Sequence, residues 1–188
     1  MAILPIYILG DPALHTQAKE VTSFDDDLRT LVADMFETMA AAPGVGLAAP
    51  QVGVSQRVFV YSWNEDDGHE HRGVAINPTL WLSPLAISPL DDDEEAEGCL
   101  SFPGERFPLR RAEQVILQAV DLEGKPFEIR ADGWLARIFQ HEYDHLDGVL
   151  YVDRLEYLFA KQAQKISRKN SWGVPGRNWL PGRDHPEG

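Results

Sequence analysis

The chain is poor in cysteine, in long hydrophobic runs and in positive charge. Cys99 is its only cysteine among 188 residues, so no disulfide can form within the chain. No apolar run approaches the ~20 residues of a membrane-spanning helix. Lysine and arginine total 17 against 30 acidic residues, for a formal charge of −13. Such an acidic chain is a poor candidate for nucleic acid binding over its whole surface, because phosphate groups repel it.

The amino-terminal stretch MAILPIYILGDPAL lacks the features of an export signal. It is apolar but has no basic region, and Pro5 and Asp11 interrupt it. We therefore predict a cytoplasmic location, a reducing compartment in which a lone thiol stays free to bind metal. The length suits one domain, which we expect over residues 1–170, followed by an irregular Gly/Pro-rich tail over residues 171–188.

Periodicity predicts three helices, at roughly Asp25–Ala42, Trp134–Leu146 and Val152–Lys169. Ser23 is the predicted N-cap of the first helix, and Gly148 is a C-cap candidate for the second. Strand-like runs begin at residues 57, 73, 114 and 126, with a polar hairpin loop over residues 64–73. Strands between helical ends predict an α+β fold in which antiparallel β-sheets surround the middle helix, with further helices at both ends of the chain.

The segment FQHEYDH (139–145) contains a possible metal site. His141 and His145 lie four residues apart on the predicted second helix, so both rings project from one face and can reach a common ion. Glu142 lies between them, where a carboxylate can accept a proton from water. The alternative is an exposed helix with a polar surface. Ile138 argues against it, because its helical spacing from His141 indicates that this face is turned inward.

A catalytic metal site of this kind needs a third protein ligand. In many metallopeptidases that ligand is a histidine six residues beyond the second, but Tyr151 occupies this position here. Glu156 is a possible carboxylate ligand with undistinctive spacing. Cys99 is the better candidate because thiolates bind soft and borderline metals strongly, and Gly98 before it leaves room for the backbone to approach the ion. The alternative for an isolated cysteine is a small buried apolar side chain.

Three blocks of sequence carry a family resemblance. GVGLAAPQ (44–51), EGCLS (97–101) and QHEYDHLDG (140–148), in this order, resemble the three signature motifs of peptide deformylases. The opening GDPAL (10–14) also resembles that family's amino terminus. The late stretch WGVPGRNWLPG (172–182) resembles the extended tails of some actinobacterial members.

The resemblance, which spans roughly residues 5–154, implies a catalytic domain that removes the N-formyl group from the formyl-methionine end of newly made bacterial proteins and releases formate. It implies one divalent metal ion held by Cys99, His141 and His145, natively Fe²⁺, with Zn²⁺, Ni²⁺ or Co²⁺ able to replace it. It also implies that Glu142 is the general base and acid.

The resemblance implies two donors for the developing oxyanion, the Gln51 side chain and the backbone amide of Leu100. Without it, Gln51 is equally well explained as a surface amide. It also implies a salt bridge between Glu97 and Arg111 beside the site. We expect Asp144 to orient a neighbouring group or the helix end and not to bind metal.

A pocket for the methionine side chain is expected along the second helix and the glycine-rich loop. Gly46 is expected to pair with the substrate backbone in β-fashion. The aliphatic stem of Arg137 is expected to line a wall, with its guanidinium in water. The alternative for Trp134 and Ile138 is plain core. The predicted substrate-binding residues are Val45, Gly46, Gly98, Trp134, Arg137 and Ile138.

Two other functions remain open from the residues alone. A zinc metallopeptidase cutting internal peptide bonds would share HExxH but would need a histidine or glutamate as third ligand. A metal-stabilised binding module could dock on ribosomes through the basic third helix, where ribosomal RNA contacts are predicted for Lys161, Lys165, Arg168 and Lys169. Such a basic stretch is also compatible with an ordinary solvated helix face. We expect no membrane partner and no sequence-specific nucleic acid binding.

Overall fold

The computed structural model describes residues 2–65 and 67–184. Its α-helices are α1 (Asp26–Ala41), α2 (Gly133–Leu146) and α3 (Tyr157–Lys169). The strands are β1 (Ile6–Tyr7), β2 (Gly46–Ala48), β3 (Val58–Asn64), β4 (Glu70–Leu82), β5 (Ala96–Cys99), β6 (Phe102–Pro108), β7 (Gln114–Val120), β8 (Pro126–Asp132) and β9 (Asn178–Trp179). Short 3-10 helices cover Pro12–His15, Ala49–Val52 and Tyr151–Arg154. Among the described residues, no helix combines the length and apolar character needed to span a bilayer.

Within residues 2–65 and 67–184, the strands form three antiparallel sheets. The largest has the order β2-β3-β4-β7-β8, and two-stranded sheets pair β5 with β6 and β1 with β9. Helix α2 packs its apolar face on the large sheet, where Phe139 contacts the rings of Phe59 and Tyr61. The predicted α+β fold, with antiparallel sheets around the middle helix and helices toward both ends, is confirmed.

Helix α1 covers a second part of the core. Its stripe of Leu28, Val32, Met35 and Met39 is buried. The predicted N-cap Ser23 is wrong, since the Asp25 carboxylate accepts the hydrogen bond from the Leu28 N–H. Both residues belong to the types that favour this position, and only the path of the chain selects between them.

Strand boundaries differ most around the first hairpin. The predicted polar loop over residues 64–73 is too long, because β3 continues to Asn64 and β4 already begins at Glu70. Cross-strand pairing holds polar residues in both strands, with Ser62 opposite Arg72 and Asn64 opposite Glu70. Pairing to a neighbouring strand satisfies the backbone whatever the polarity of the side chains.

The carboxyl-terminal part of the chain departs from the prediction in two places. The third helix begins at Tyr157 and not near Val152, because a 3-10 turn over Tyr151–Arg154 and an extended Leu155 precede it. Leu155 is buried against the same apolar cluster as Leu14 and Phe107. The tail is not irregular throughout, since β9 pairs with β1.

Candidate metal centre

Helix α2 and the end of strand β5 bring three metal-binding side chains together. One ligand atom each of Cys99, His141 and His145 lies within 4.8 Å of the others. The Cys99 Sγ is 3.3 Å from the Nε2 of His145, and the two imidazole centroids are 5.0 Å apart. The strand pairing shifts between Gly98 and Cys99, and such an irregularity re-aims the side chain that follows.

The three residues fit a divalent metal ion. Bond lengths of about 2.0–2.3 Å in a tetrahedral site place its ligand atoms roughly 3.3–3.7 Å apart, close to the measured separation of sulfur and nitrogen. Sulfur and imidazole nitrogen suit borderline metals of the iron-to-zinc series. Burial lowers the pKa of His145 well below its usual value, and the neighbouring His141 adds to this effect. A neutral imidazole is the form that binds metal.

Glu142 points into the same site from helix α2. It is buried, and within the described part of the chain its Oε2 has no hydrogen-bond partner. Burial raises the pKa of Glu142 to about 7. A carboxyl group poised near neutral pH can both accept and return a proton, as a general base and acid must.

Charged groups lie beside the candidate ligands, and one of them, Glu97, also lines the cavity. The Oε1 of Glu97 is 2.6 Å from Arg111 Nη2 and 3.4 Å from the Nδ1 of His141. Burial opposes ionisation of Glu97, but the Arg111 charge and the bonds from Arg111 and His141 outweigh it and lower its pKa to about 2. The predicted Glu97–Arg111 salt bridge is confirmed. By engaging Nδ1, Glu97 leaves Nε2 of His141 available to a metal, the usual role of a carboxylate behind a ligating histidine.

Asp144 binds arginines and lies outside the metal-binding group. Its Oδ2 is 2.6 Å from Arg111 Nη1, and Arg154 donates to both of its oxygens at 2.7 and 2.8 Å. The expectation that Asp144 orients neighbouring groups is confirmed. The ion pair between Arg154 and Asp144 is not predictable from the sequence, because no local spacing links residues ten positions apart.

The Gln51 side chain turns its NH₂ group toward the Cys99 sulfur. Its Oε1 accepts a 2.9 Å bond from the Ala48 N–H, and this leaves Nε2 directed at Ser101 Oγ (3.2 Å) and Cys99 Sγ (3.8 Å). The residue is 1% exposed, so the surface alternative is wrong. Leu100 follows Cys99 directly and lines the same cavity.

A cavity of about 590 Å³ is lined by Cys99, His141 and Glu142, while the buried His145 contacts the Cys99 sulfur. All six predicted substrate-binding residues line it: Val45, Gly46, Gly98, Trp134, Arg137 and Ile138. Of these, Val45 and Trp134 are exposed and Ile138 is buried. Trp134 lies beside Trp63, with ring centroids 6.0 Å apart, and Trp63 is a lining residue that no sequence motif indicated.

Arg137 does not place its guanidinium in water, so that expectation is wrong. Its Nη1 donates to the Leu109 carbonyl at 2.6 Å and the Glu95 carbonyl at 3.2 Å, and it lies 3.4 Å from Glu97. The side chain is 11% exposed. Buried carboxylate and carbonyl acceptors replace water around the charge, because a buried cation needs such partners.

Two further residues support the site and were missed from sequence. The Gln140 side chain accepts a hydrogen bond from the Ala112 N–H and donates one to the Ala112 carbonyl. These two bonds tie α2 to the segment just before β7. Trp179, from the tail, lines the cavity and donates to the Leu100 carbonyl. In the sequence, the segment of Trp179 is marked only by the resemblance of the tail to actinobacterial members.

Comparison with known proteins gives one consistent result. The family model described as polypeptide deformylase matches residues 3–160. The peptide deformylase of Tropheryma whipplei (strain TW08/27) is 52% identical over 95% of this chain and 94% of its own length. That of Mycolicibacterium smegmatis is 48% identical over 97% of this chain and 96% of its own.

Solved structures agree with the sequence comparison. A crystal structure of a peptide deformylase from Legionella pneumophila shares 43% identity at a TM-score of 0.74, covering 90% of this chain and 98% of that one. A peptide deformylase from Ehrlichia chaffeensis, in complex with actinonin, shares 37% identity at a TM-score of 0.76, again over 90% and 98%. This chain therefore belongs to the polypeptide deformylase family.

Proposed function

We propose that Cys99, His141 and His145 hold the metal ion of this enzyme and that Glu142 moves the protons of its reaction. The protein is a metal-dependent hydrolase that removes the N-formyl group from the formyl-methionine end of newly made proteins and releases formate. The observation that carries the assignment of roles is the meeting of three ligand atoms beside a cavity that Cys99, His141 and the buried Glu142 line. We assign the catalytic domain to residues 1–170.

The reaction adds water to the formyl carbon and breaks the bond from that carbon to nitrogen. A bound divalent ion supplies Lewis acidity, which makes water nucleophilic near neutral pH and polarises the formyl carbonyl. The Glu142 carboxylate accepts a proton from the attacking water. It then returns a proton to the leaving nitrogen, so that formate and a free amino terminus result.

Negative charge develops on the formyl oxygen during the attack. The donors that we assign to it are the Nε2 of Gln51 and the backbone N–H of Leu100. The Ala48 bond to Gln51 Oε1 favours this role, because it fixes which end of the amide faces the site. One donor of this kind is typically worth about 3–4 kcal/mol of activation free energy.

The substrate backbone is proposed to bind along β2. This strand is the first in the order of the large sheet, so among the described residues only one of its edges pairs with a strand, and its Gly46 lines the cavity. An extended peptide can add to such an edge through backbone hydrogen bonds at Gly46, which gives affinity with little dependence on sequence. The apolar faces of Val45, Trp134 and Ile138, with the stem of Arg137, then take the methionine side chain, and Gly98 borders the opposite wall.

The natural metal is proposed to be Fe²⁺. Zn²⁺, Ni²⁺ and Co²⁺ suit the same donors, and intrinsic affinity rises from iron toward the later metals. Later metals can therefore replace iron during purification, and exposure to air adds the oxidation of Fe²⁺. Metal analysis after anaerobic purification tests the assignment. Iron at less than half of the sites under those conditions would overturn it.

We also propose that the protein works in the cytoplasm and contacts ribosomal RNA through α3. Its four cationic residues are all exposed: Lys161, Lys165, Arg168 and Lys169. Ribosome binding measured over a series of salt concentrations tests this, because phosphate contacts make affinity fall steeply with salt. Reversing the four charges should abolish binding without changing hydrolysis of short peptides, and salt-insensitive binding would contradict the proposal.

Formate release tests the activity itself. The anaerobically prepared enzyme should release formate from formyl-Met peptides and should leave matched unformylated peptides intact. Removal of the metal with a chelator should abolish formate release, and adding back a divalent ion should restore it. Cleavage of internal peptide bonds in the unformylated controls would instead support a peptidase.

A further inference from the structure

The carboxyl-terminal tail reaches the metal centre through one side chain. Trp179 lies in β9, opposite Ile6 of β1, and is 6% exposed. Its indole Nε1 donates a 2.9 Å hydrogen bond to the carbonyl oxygen of Leu100. The tail thus contacts the residue that directly follows the Cys99 ligand.

The Leu100 carbonyl and the Ser101 N–H are the two ends of one peptide unit. Because that unit is planar, a bond that fixes the direction of the carbonyl also fixes the direction of the N–H. The Ser101 N–H is directed at the Cys99 Sγ, 3.4 Å away. The next carbonyl along the chain, that of Ser101, accepts a 2.9 Å hydrogen bond from the Leu9 N–H.

We propose that Trp179 is a positioning residue for the metal centre: it holds the Leu100–Ser101 peptide unit so that the Ser101 N–H remains aimed at the Cys99 sulfur. This inference rests on the proposed role of Cys99 as a ligand. Hydrogen bonds to a ligating sulfur adjust its electron donation and its orientation, so outer groups of this kind tune a metal site. The same contact restrains Leu100, whose own N–H is the proposed oxyanion donor.

The competing explanation is that Trp179 only fills space. It belongs to the apolar cluster formed with Ile6, Ile8 and Met35, and burial of such a large ring stabilises the fold by itself. The two explanations differ in the importance of the indole N–H. Trp179→Phe keeps most of the ring volume and removes the donor, whereas Trp179→Gln keeps an N–H donor of similar reach and removes the ring.

The experiment uses the full chain loaded with Co²⁺, whose thiolate charge-transfer absorption reports directly on the sulfur. Trp179→Phe should shift or weaken this band and lower kcat about three- to tenfold, the effect of one neutral hydrogen bond, with KM changed less than about twofold. Trp179→Gln should retain the wild-type band although it unfolds at a lower temperature. Trp172→Phe is the matched control, since it removes another tail indole N–H and should leave band and kcat unchanged.

The outcomes separate this inference from the proposed ligand set. If wild-type protein binds Co²⁺ without a thiolate band, Cys99 is not a ligand and both proposals are overturned. If the wild-type band is present and Trp179→Phe leaves both band and kcat unchanged, the positioning role alone is overturned. A loss of band in Trp179→Gln equal to that in Trp179→Phe would also overturn it, because ring volume would then be the cause.

Discussion

The Glu142 side chain packs directly against Gly46 and fills the space that a side chain at position 46 would need. A β-carbon added to Gly46 would overlap the carboxylate of Glu142, both at its Oε1 and along its stem. Glu142 is buried and lies on α2, so it cannot swing freely into solvent. The glycine-rich loop and helix α2 therefore fit each other only with a glycine at position 46, although the two residues are almost a hundred positions apart in sequence.

Gly46→Ala should displace the Glu142 carboxylate and lower kcat by about a hundredfold or more, the usual range for loss of a general base. Formate release and metal content are the measurements, and the metal content should stay near that of wild type. Gly44→Ala is the comparison and should cost much less, because its β-carbon would crowd the end of the flexible Leu100 side chain and would meet its other neighbours at an ordinary contact distance of 3.5 Å. Equal losses in the two variants would contradict the account.

Cys99→Ala should lose metal and activity together, because two imidazoles alone hold a divalent ion weakly. Metal stoichiometry after dialysis is the measurement, with formate release beside it. His69→Ala serves as the control, since it removes an exposed imidazole outside the metal-binding group and should leave both quantities unchanged. Full metal content in Cys99→Ala would remove the sulfur from the ligand set.

Glu142→Gln should keep the metal and lose about 10²–10⁴-fold in kcat, because the amide cannot accept the proton of the attacking water. Glu123→Gln is the matched control. Its side chain is 68% exposed and, among the described residues, pairs with Arg29 alone, so turnover should not change. A rate near that of wild type in Glu142→Gln would show that another group acts as the base.

Arg111→Met should lower the free energy of unfolding by about 3–5 kcal/mol, because it leaves the Glu97 carboxylate buried without its main partner. The Arg111 and Glu97 side chains are only 6% and 4% exposed. Urea denaturation of the metal-loaded proteins measures the change. In the same assay Arg29→Met, which breaks an exposed pair, should cost no more than about 1 kcal/mol. A similar small cost in both variants would show that the buried pair contributes little.

Local features were predictable where local physics decides them. Helix α2 was placed within one residue because its apolar spacing repeats over three turns, and the pairing of His141 with His145 follows from the same repeat. Where two residues could cap the same helix, as Ser23 and Asp25 could for α1, the spacing of apolar residues does not show which one does. Likewise the break before α3 comes from burial of Leu155 in a distant cluster, which no window of sequence contains.

The sequence by itself determined the α+β class, the helix with its two imidazoles and base, and the family signature in which Cys99 stands. Only the tertiary structure decided that Cys99 Sγ lies 3.3 Å from His145, that Arg137 turns away from water, and that Trp179 reaches the Leu100 carbonyl. The physical reason is range. Helical periodicity acts over a few residues, whereas these contacts depend on strand register and burial between segments that are tens of residues apart.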